Sequence, residues 1–222
     1  MRGVKEVWWI RHGQSASNAG LRTRDNRSNP LTALGRLEAH RVAEALEREL
    51  ELIVTSPYVR TLQTAEPALE RFPLVLHEEW PVHEYTWLAD ERRRDTTFLE
   101  REVYAEHHFG LLDPHRVDGE GAESFVQFIG RVEGALERLR ARPERYVVVF
   151  SHAAFIRAVL WTQFARPTVL DSKAMQQFLR FMESLKIPNA SVVKMHLGAG
   201  DELFFSPPLT AHLQALQADL VA

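Results

Sequence analysis

Hydrophobic positions along the chain form short solid runs separated by longer stretches with a helical period. Val7-Trp8-Trp9-Ile10 is wholly apolar and stops at Arg11-His12-Gly13. Leu52-Ile53-Val54 stops at Thr55-Ser56-Pro57, and Val147-Val148-Val149-Phe150 stops at Ser151-His152. Short runs rich in β-branched residues, each followed by a helical pattern, predict buried parallel strands joined by crossover helices. Leu74-Val75-Leu76 and Ser191 to Leu197 are further strand candidates, and Glu202 to Phe205 is a weaker one at an edge.

Between these runs the period changes. Thr32 to Glu49 has apolar residues at 34, 37, 42, 45 and 46 and is rich in Ala, Leu, Glu and Arg, which predicts a helix. Ser56-Pro57 reads as an N-cap followed by proline at the first helical position, opening a helix to about Arg71. Glu123 to Arg140, Ala153 to Phe164, Ser172 to Leu185 and Leu209 to Leu220 complete the predicted helices. Two segments break the alternation. Gly20 to Pro30 is polar, carries Arg22, Arg24 and Arg27, and reads as a mobile loop. Tyr85 to Gly121 is long and charged, with a helix expected from Thr96 to His108, and reads as an insertion covering a site. The expected fold is α/β: a three-layer α/β/α sandwich with a mostly parallel sheet, one domain over 1–222, and a helical insertion at about 85–121 capping its rim.

Composition narrows the function classes. Hydrophobic residues are 45% of the 222, enough for a real core, and a net charge of −3 leaves no basic excess to attract nucleic acid. The absence of cysteine excludes disulfides, zinc–thiolate sites and thiol catalysis. No apolar run approaches membrane-spanning length, and Met1 to Glu6 lacks a signal-peptide core, so a cytoplasmic protein with no membrane partner is expected. No repeat or low-complexity tract is present, and the oligomeric state is not legible.

If the three apolar runs are parallel neighbours, their ends bring together Arg11, His12, Arg60 and His152. In open α/β sheets that rim is where ligands bind. Arg60 falls in the first turn of the helix after Ser56-Pro57, where free backbone N–H groups also favour an anion. Two guanidiniums and two imidazoles at one rim call for a counter-anion, and bidentate arginine geometry suits phosphate.

These residues stand in ordered blocks that resemble the histidine phosphatase superfamily, the phosphoglycerate-mutase-like clan. Arg11-His12-Gly13-Gln14-Ser15-Ala16-Ser17-Asn18 looks like its Arg-His-Gly-x-Thr/Ser-x-x-Asn signature, and Pro30-Leu31-Thr32 with Gly35 is similar to its next helix start. Ser56-Pro57-Tyr58-Val59-Arg60-Thr61-Leu62-Gln63-Thr64-Ala65 resembles its Ser-Pro-x-x-Arg-x-x-Gln-Thr-Ala block. Ala122-Glu123-Ser124 resembles Gly-Glu-Ser, and Ser151-His152-Ala153-Ala154-Phe155-Ile156-Arg157 resembles Ser-His-Gly-Gly-x-Ile-Arg, with alanine at three glycine positions.

The resemblance implies roles. His12 would accept the phosphoryl group. Arg11, Arg60 and His152 would hold its oxygens, Asn18 would add a hydrogen bond, and Glu84 in Val82-His83-Glu84-Tyr85 would be the proton donor, with Glu78, Glu79 and Asp90 as competitors. Adjacent arginines should keep His12 neutral near pH 7, since a free imidazole titrates near pH ~6.5. A glutamate, near ~4.3 when free, would need burial and a bound dianion to start protonated, which predicts an acidic optimum. Each arginine contact to the phosphoryl oxygens is worth on the order of 4 kcal/mol at ~4 Å and an effective dielectric near ~20, before desolvation. No metal and no cofactor is called for.

The resulting expectation is a metal-independent phosphatase that hydrolyses small phosphorylated metabolites through a phosphohistidine. Phosphoglycerate mutase-type transfer, a phosphoprotein phosphatase and a non-catalytic phosphate-binding scaffold are alternatives. Against the mutase, Ser17 stands where a tryptophan precedes the asparagine, and the Gly-Trp-x-Asp segment is missing. Arg92-Arg93-Arg94 reads as a solvated helix face, with a second anion site as the alternative. Trp80, Tyr85 and Trp87 read as packing, with substrate walls as the alternative, and His107-His108 lacks metal-ligand spacing.

Overall fold

The computed structural model describes residues 4–46, 50–198, 203–214 and 216. Six strands form one sheet: β1 (Lys5–Arg11), β2 (Leu52–Thr55), β3 (Leu76–Glu79), β4 (Tyr146–Ser151), β5 (Val192–Leu197) and β6 (Leu203–Phe205). Their spatial order is β3-β2-β4-β1-β5-β6. β3, β2, β4 and β1 run parallel, and β5 and β6 are antiparallel additions at one side. The three apolar runs are therefore neighbours, with β4 between β1 and β2.

The helices are α1 (Ala33–Ala45), α2 (Val59–Arg71), α3 (Asp90–Arg93), α4 (Glu102–Gly110), α5 (Phe125–Ala141), α6 (Ala153–Ala165) and α7 (Ser172–Ser184). Alternation along β1 creates the three layers. Val7 and Trp9 face one core with α5, α6 and α7, while Trp8 and Ile10 face another with α1 and α2. Both sets are nearly inaccessible to water, which is why the run is solidly apolar rather than alternating.

Local chemistry sets the helix ends. Thr32 caps α1 by accepting from Gly35 N, and Ser124 and Gln127 form a reciprocal capping box at α5. The α2 helix departs from expectation: it starts at Val59 with Tyr58 as its extended N-cap, not at Pro57. The Ser56 hydroxyl is instead bonded to His152 Nε2 at 2.8 Å and Thr61 Oγ1 at 2.7 Å, so it serves the rim of the sheet.

Three other segments differ from the sequence reading. Strand β3 begins at Leu76 because residues 72–75 close a turn, with Val75 N donating to Phe72 O; Leu74 is 95% exposed. The helix expected from Thr96 is interrupted. Asp95 takes a left-handed φ of 55°, Thr96 pairs with Thr23, and a 3₁₀ turn at Leu99–Arg101 leads into α4. The 20–30 loop makes contacts across to its neighbours: Thr23 bridges Thr96, Val59 N donates to Arg27 O at 2.9 Å, and Arg60 Nη1 donates to Asn26 O at 2.6 Å. The helix expected over 209–220 lies partly outside the described residues; a 3₁₀ turn occupies Ala211–Leu213. No helix among the described residues is long and apolar enough to cross a membrane.

Candidate active site

The carboxyl ends of β1, β2 and β4 stop level with one another. Arg11 pairs with Ser151 and Thr55 with Phe150, so the next residues, His12, Ser56 and His152, leave the sheet side by side. His12 N donates to Ser151 O at 3.0 Å, and the two imidazole centroids are 5.0 Å apart. Arg60 reaches the same point from α2. Its Nε–H donates to His12 Nε2 at 3.1 Å, and its Nη2 donates to His152 Nδ1 at 2.9 Å.

These contacts define the tautomers. An arginine can only donate, so His12 Nε2 and His152 Nδ1 present lone pairs to it. His12 Nδ1–H then donates to Gly13 O at 2.7 Å, and His152 Nε2–H donates to the Ser56 hydroxyl. Burial first, and Arg60 and Arg11 second, push the His12 pKa well below 6.5. Burial and Arg60 do the same for His152. Arg60 is itself brought down to about 10 by burial and stays cationic at neutral pH. Tyr58 lies beneath this guanidinium, its ring centroid 4.9 Å from the Arg60 carbon.

Gly13 has a steric reason. A Cβ there would lie 2.4 Å from Gly35 O, and a Cβ on Gly35 would lie 2.0 Å from Gln14 O. The loop after His12 and the start of α1 therefore touch backbone to backbone. Gly13 N also donates to Thr64 Oγ1 of α2 at 3.0 Å.

Glu84 enters from the segment after β3. Its Oε1 accepts from Ala154 N at 3.0 Å and Tyr85 N at 3.1 Å, which leaves Oε2 without a protein hydrogen bond among the described residues, and the residue lines the cavity. Arg131 of α5 holds this segment in place by donating to Pro81 O and His83 O, each at 2.8 Å, and by pairing with Glu123 at 2.6 Å. Sequence reasoning missed Arg131; an arginine on a helix face carries no signal of such a clamp. The alanines at 153 and 154 cause no strain, since neither has a positive φ, and both line the cavity.

One cavity of about 650 Å³ opens over this rim. Arg11, His12, Asn18, Arg60 and Glu84 line it, and His152 sits directly behind Arg60. Arg11 donates one Nη1–H to Ile187 O at 2.7 Å, while its buried Nε–H has no protein partner. The Asn18 contacts, from Ser15 and Asn189, all use Oδ1, which leaves the amide N–H groups for a ligand. Glu78, Glu79 and Asp90, weighed as rivals to Glu84, do not line the cavity; Glu78 is paired with Arg138 and Arg142. Tyr85 and Trp87 are cavity walls as well as packing, whereas Trp80 lies in the core. Three arginines that were not assigned to the site also line it: Arg93, Arg101 and Arg157.

Comparison with known proteins bears on this arrangement. The family model described as histidine phosphatase superfamily (branch 1) matches residues 7–204. "Phosphoserine phosphatase 1" of Hydrogenobacter thermophilus is 32% identical over 155 residues, covering 68% of this chain and 72% of that protein. "Probable phosphoglycerate mutase GpmB" of Escherichia coli is 27% identical over 218 residues, covering 94% and 99%. A mycobacterial glucosyl-3-phosphoglycerate phosphatase structure superposes with a TM-score of 0.68 at 22% identity, covering 92% of this chain and 98% of that one.

Proposed function

We propose that this chain, which belongs to the histidine phosphatase superfamily, hydrolyses small phosphomonoesters through a phosphohistidine on His12. The observation that carries the reading is the state of His12. Its Nδ1–H is committed to Gly13 O, its Nε2 lone pair accepts from Arg60 Nε in the cavity that both residues line, and burial with two guanidiniums holds it neutral. A neutral imidazole with a directed lone pair is a competent nucleophile at pH 7.

The chemistry follows from the geometry. The incoming phosphate takes the Nε–H of Arg60 that now rests on His12, and adds the unpartnered Nε–H of Arg11 and the amide of Asn18. His12 Nε2 attacks phosphorus as the ester P–O bond breaks, and the leaving oxygen takes a proton from Glu84 Oε2. Glu84 then removes a proton from water, the hydroxide attacks phosphorus, and the P–N bond breaks to release phosphate and neutral His12. Charge on the phosphoryl oxygens is met throughout by fixed guanidiniums, and His152, through its Nδ1 lone pair, holds the Arg60 Nη2 in place from behind.

Rapid-quench labelling tests this. Enzyme mixed with a ³²P-labelled phosphomonoester should yield an alkali-stable, acid-labile adduct, and His12→Ala should yield none. Turnover without any such adduct in the wild type overturns the intermediate. Transfer to a second phosphoglycerate in place of water is the competing reading, favoured by the mutase name of one relative. Interconversion of 2- and 3-phosphoglycerate faster than phosphate release would establish it; Ser17, on the cavity wall, stands where the mutase-like pattern has a tryptophan, which supports water as acceptor.

A further inference from the structure

The cavity holds more positive charge than one phosphate can balance. Five arginines line it against two glutamates, Glu84 and Glu102. A phosphate dianion on Arg11 and Arg60 leaves an excess, and that excess is concentrated in the segment covering the site. Arg93 of α3 and Arg101 of the 3₁₀ turn are each only 6% exposed. Neither forms an ion pair with a carboxylate among the described residues, although burying an unpaired guanidinium is costly.

Their hydrogen bonds orient them without neutralising them. Arg93 Nη1 donates to Asn26 Oδ1 at 3.0 Å, and its buried Nε–H has no partner. Arg101 donates through Nε and Nη2 to Thr96 and Thr23, all neutral acceptors. Asn26 ties this pair to the catalytic rim, because its backbone oxygen accepts from Arg60 Nη1 at 2.6 Å while its side chain accepts from Arg93. Two cationic sites thus stand on opposite sides of one asparagine, inside one cavity. Arg92 and Arg94, the neighbours of Arg93, are exposed, and Arg92 pairs with Asp118. The arginine run therefore contributes a single inward cation.

We propose that Arg93 and Arg101, aligned by Asn26 and Thr23, form a second oxyanion subsite, so that the preferred substrate is a phosphomonoester bearing a carboxylate or second phosphate at its far end. The inference builds on the phosphatase reading only for the first anion. Trp87, Phe98 and Phe109, also on the cavity wall, would cover the carbon skeleton between the two charged ends.

The test compares straight-chain alkyl phosphates of three to six carbons that end in methyl, carboxylate or phosphate. Wild-type kcat/KM should be at least tenfold higher for some charged-ended member than for its methyl-ended match, mainly through KM. Arg93→Gln should reduce that ratio about tenfold, and Arg93→Lys should restore part of it. Preference for carboxylate over phosphate, or the reverse, identifies the natural anion. No preference at any length overturns the subsite, as does an Arg93→Gln variant that keeps the full ratio, since a purely structural arginine would leave the ratio unmoved. Calorimetric binding of the same compounds to His12→Ala carries the comparison without turnover. A selective binding difference there, in an enzyme that proves inactive, would sink the phosphatase reading and keep the subsite.

Discussion

Arg60 donates its Nε–H to the Nε2 lone pair of His12 at 3.1 Å, so in the resting site one guanidinium occupies the position a phosphorus centre must reach. The same guanidinium contacts His152 and the Asn26 carbonyl. A planar, forked cation makes all three contacts at once; an ammonium is a point charge and cannot. Arg60→Lys should therefore lower kcat/KM by about 10²–10³-fold despite retaining the charge, the scale seen when one preorganised donor to a developing oxyanion is removed. Steady-state kinetics on 4-nitrophenyl phosphate reads this out. A loss under fivefold would mean that charge alone suffices and that the shared geometry is incidental.

Glu84 is held by Oε1 on two backbone N–H groups, with Oε2 left for proton transfer. Glu84→Gln keeps the anchor and removes the proton. Its effect should depend on the leaving group: about 10²–10⁴-fold on kcat for an alkyl phosphate, whose alkoxide needs protonation, and much less for phosphohistidine formation from 4-nitrophenyl phosphate. Pre-steady-state burst measurements separate the two steps. Equal losses in the formation step for both substrates would remove Glu84 as the acid.

Much of this arrangement was legible in the chain because solid apolar runs mark strands buried on both faces and because the residues that end them sit where ligands bind. Arg11, His12 and His152 follow directly from that rule, and Arg60 from its place in the first turn of α2. What escaped depends on tertiary detail. Of Arg92, Arg93 and Arg94 only the middle one turns inward, and a four-residue helix has no period from which to tell which. Arg131 acts by gripping backbone carbonyls 48 and 50 residues away, which no local pattern encodes. The apolar triplet Leu74-Val75-Leu76 pointed to a strand, but β3 is an edge that needs no continuous burial, and its paired part runs from Leu76 into the polar His77-Glu78-Glu79.

Gly13 and Gly35 should tolerate no side chain. Gly13→Ala would drive a methyl group to 2.4 Å from Gly35 O, and Gly35→Ala one to 2.0 Å from Gln14 O. Both clashes are with backbone, so relief requires α1 to move away from the His12 loop. Each substitution should cost about 1–3 kcal/mol of stability and misalign His12, lowering activity beyond what the loss of folded protein explains. Thermal melting together with kcat per folded molecule checks both parts. An alanine variant with unchanged melting temperature and activity would show that the contact is slack.

Buried imidazoles should make the protein sensitive to mild acid. His83 is brought down to about 4, chiefly by burial and then by the Arg131 charge, and its Nδ1 has no partner. In the unfolded chain it titrates near ~6.5. Between those values the unfolded state binds the extra proton, so stability rises with pH and is lost as pH falls from about 6.5 toward 4. His12, His152, His108 and His212 shift in the same direction and reinforce the trend. For His83 alone the drop from ~6.5 to about 4 corresponds to on the order of 3 kcal/mol. Urea midpoints for wild type and His83→Gln should run closely parallel above pH 7 and diverge below 6, with the variant falling less steeply. Parallel curves down to pH 4.5 would mean that His83 reaches water before the protein unfolds, and that the burial beneath Tyr58 is looser than its ring contact at 5.2 Å implies.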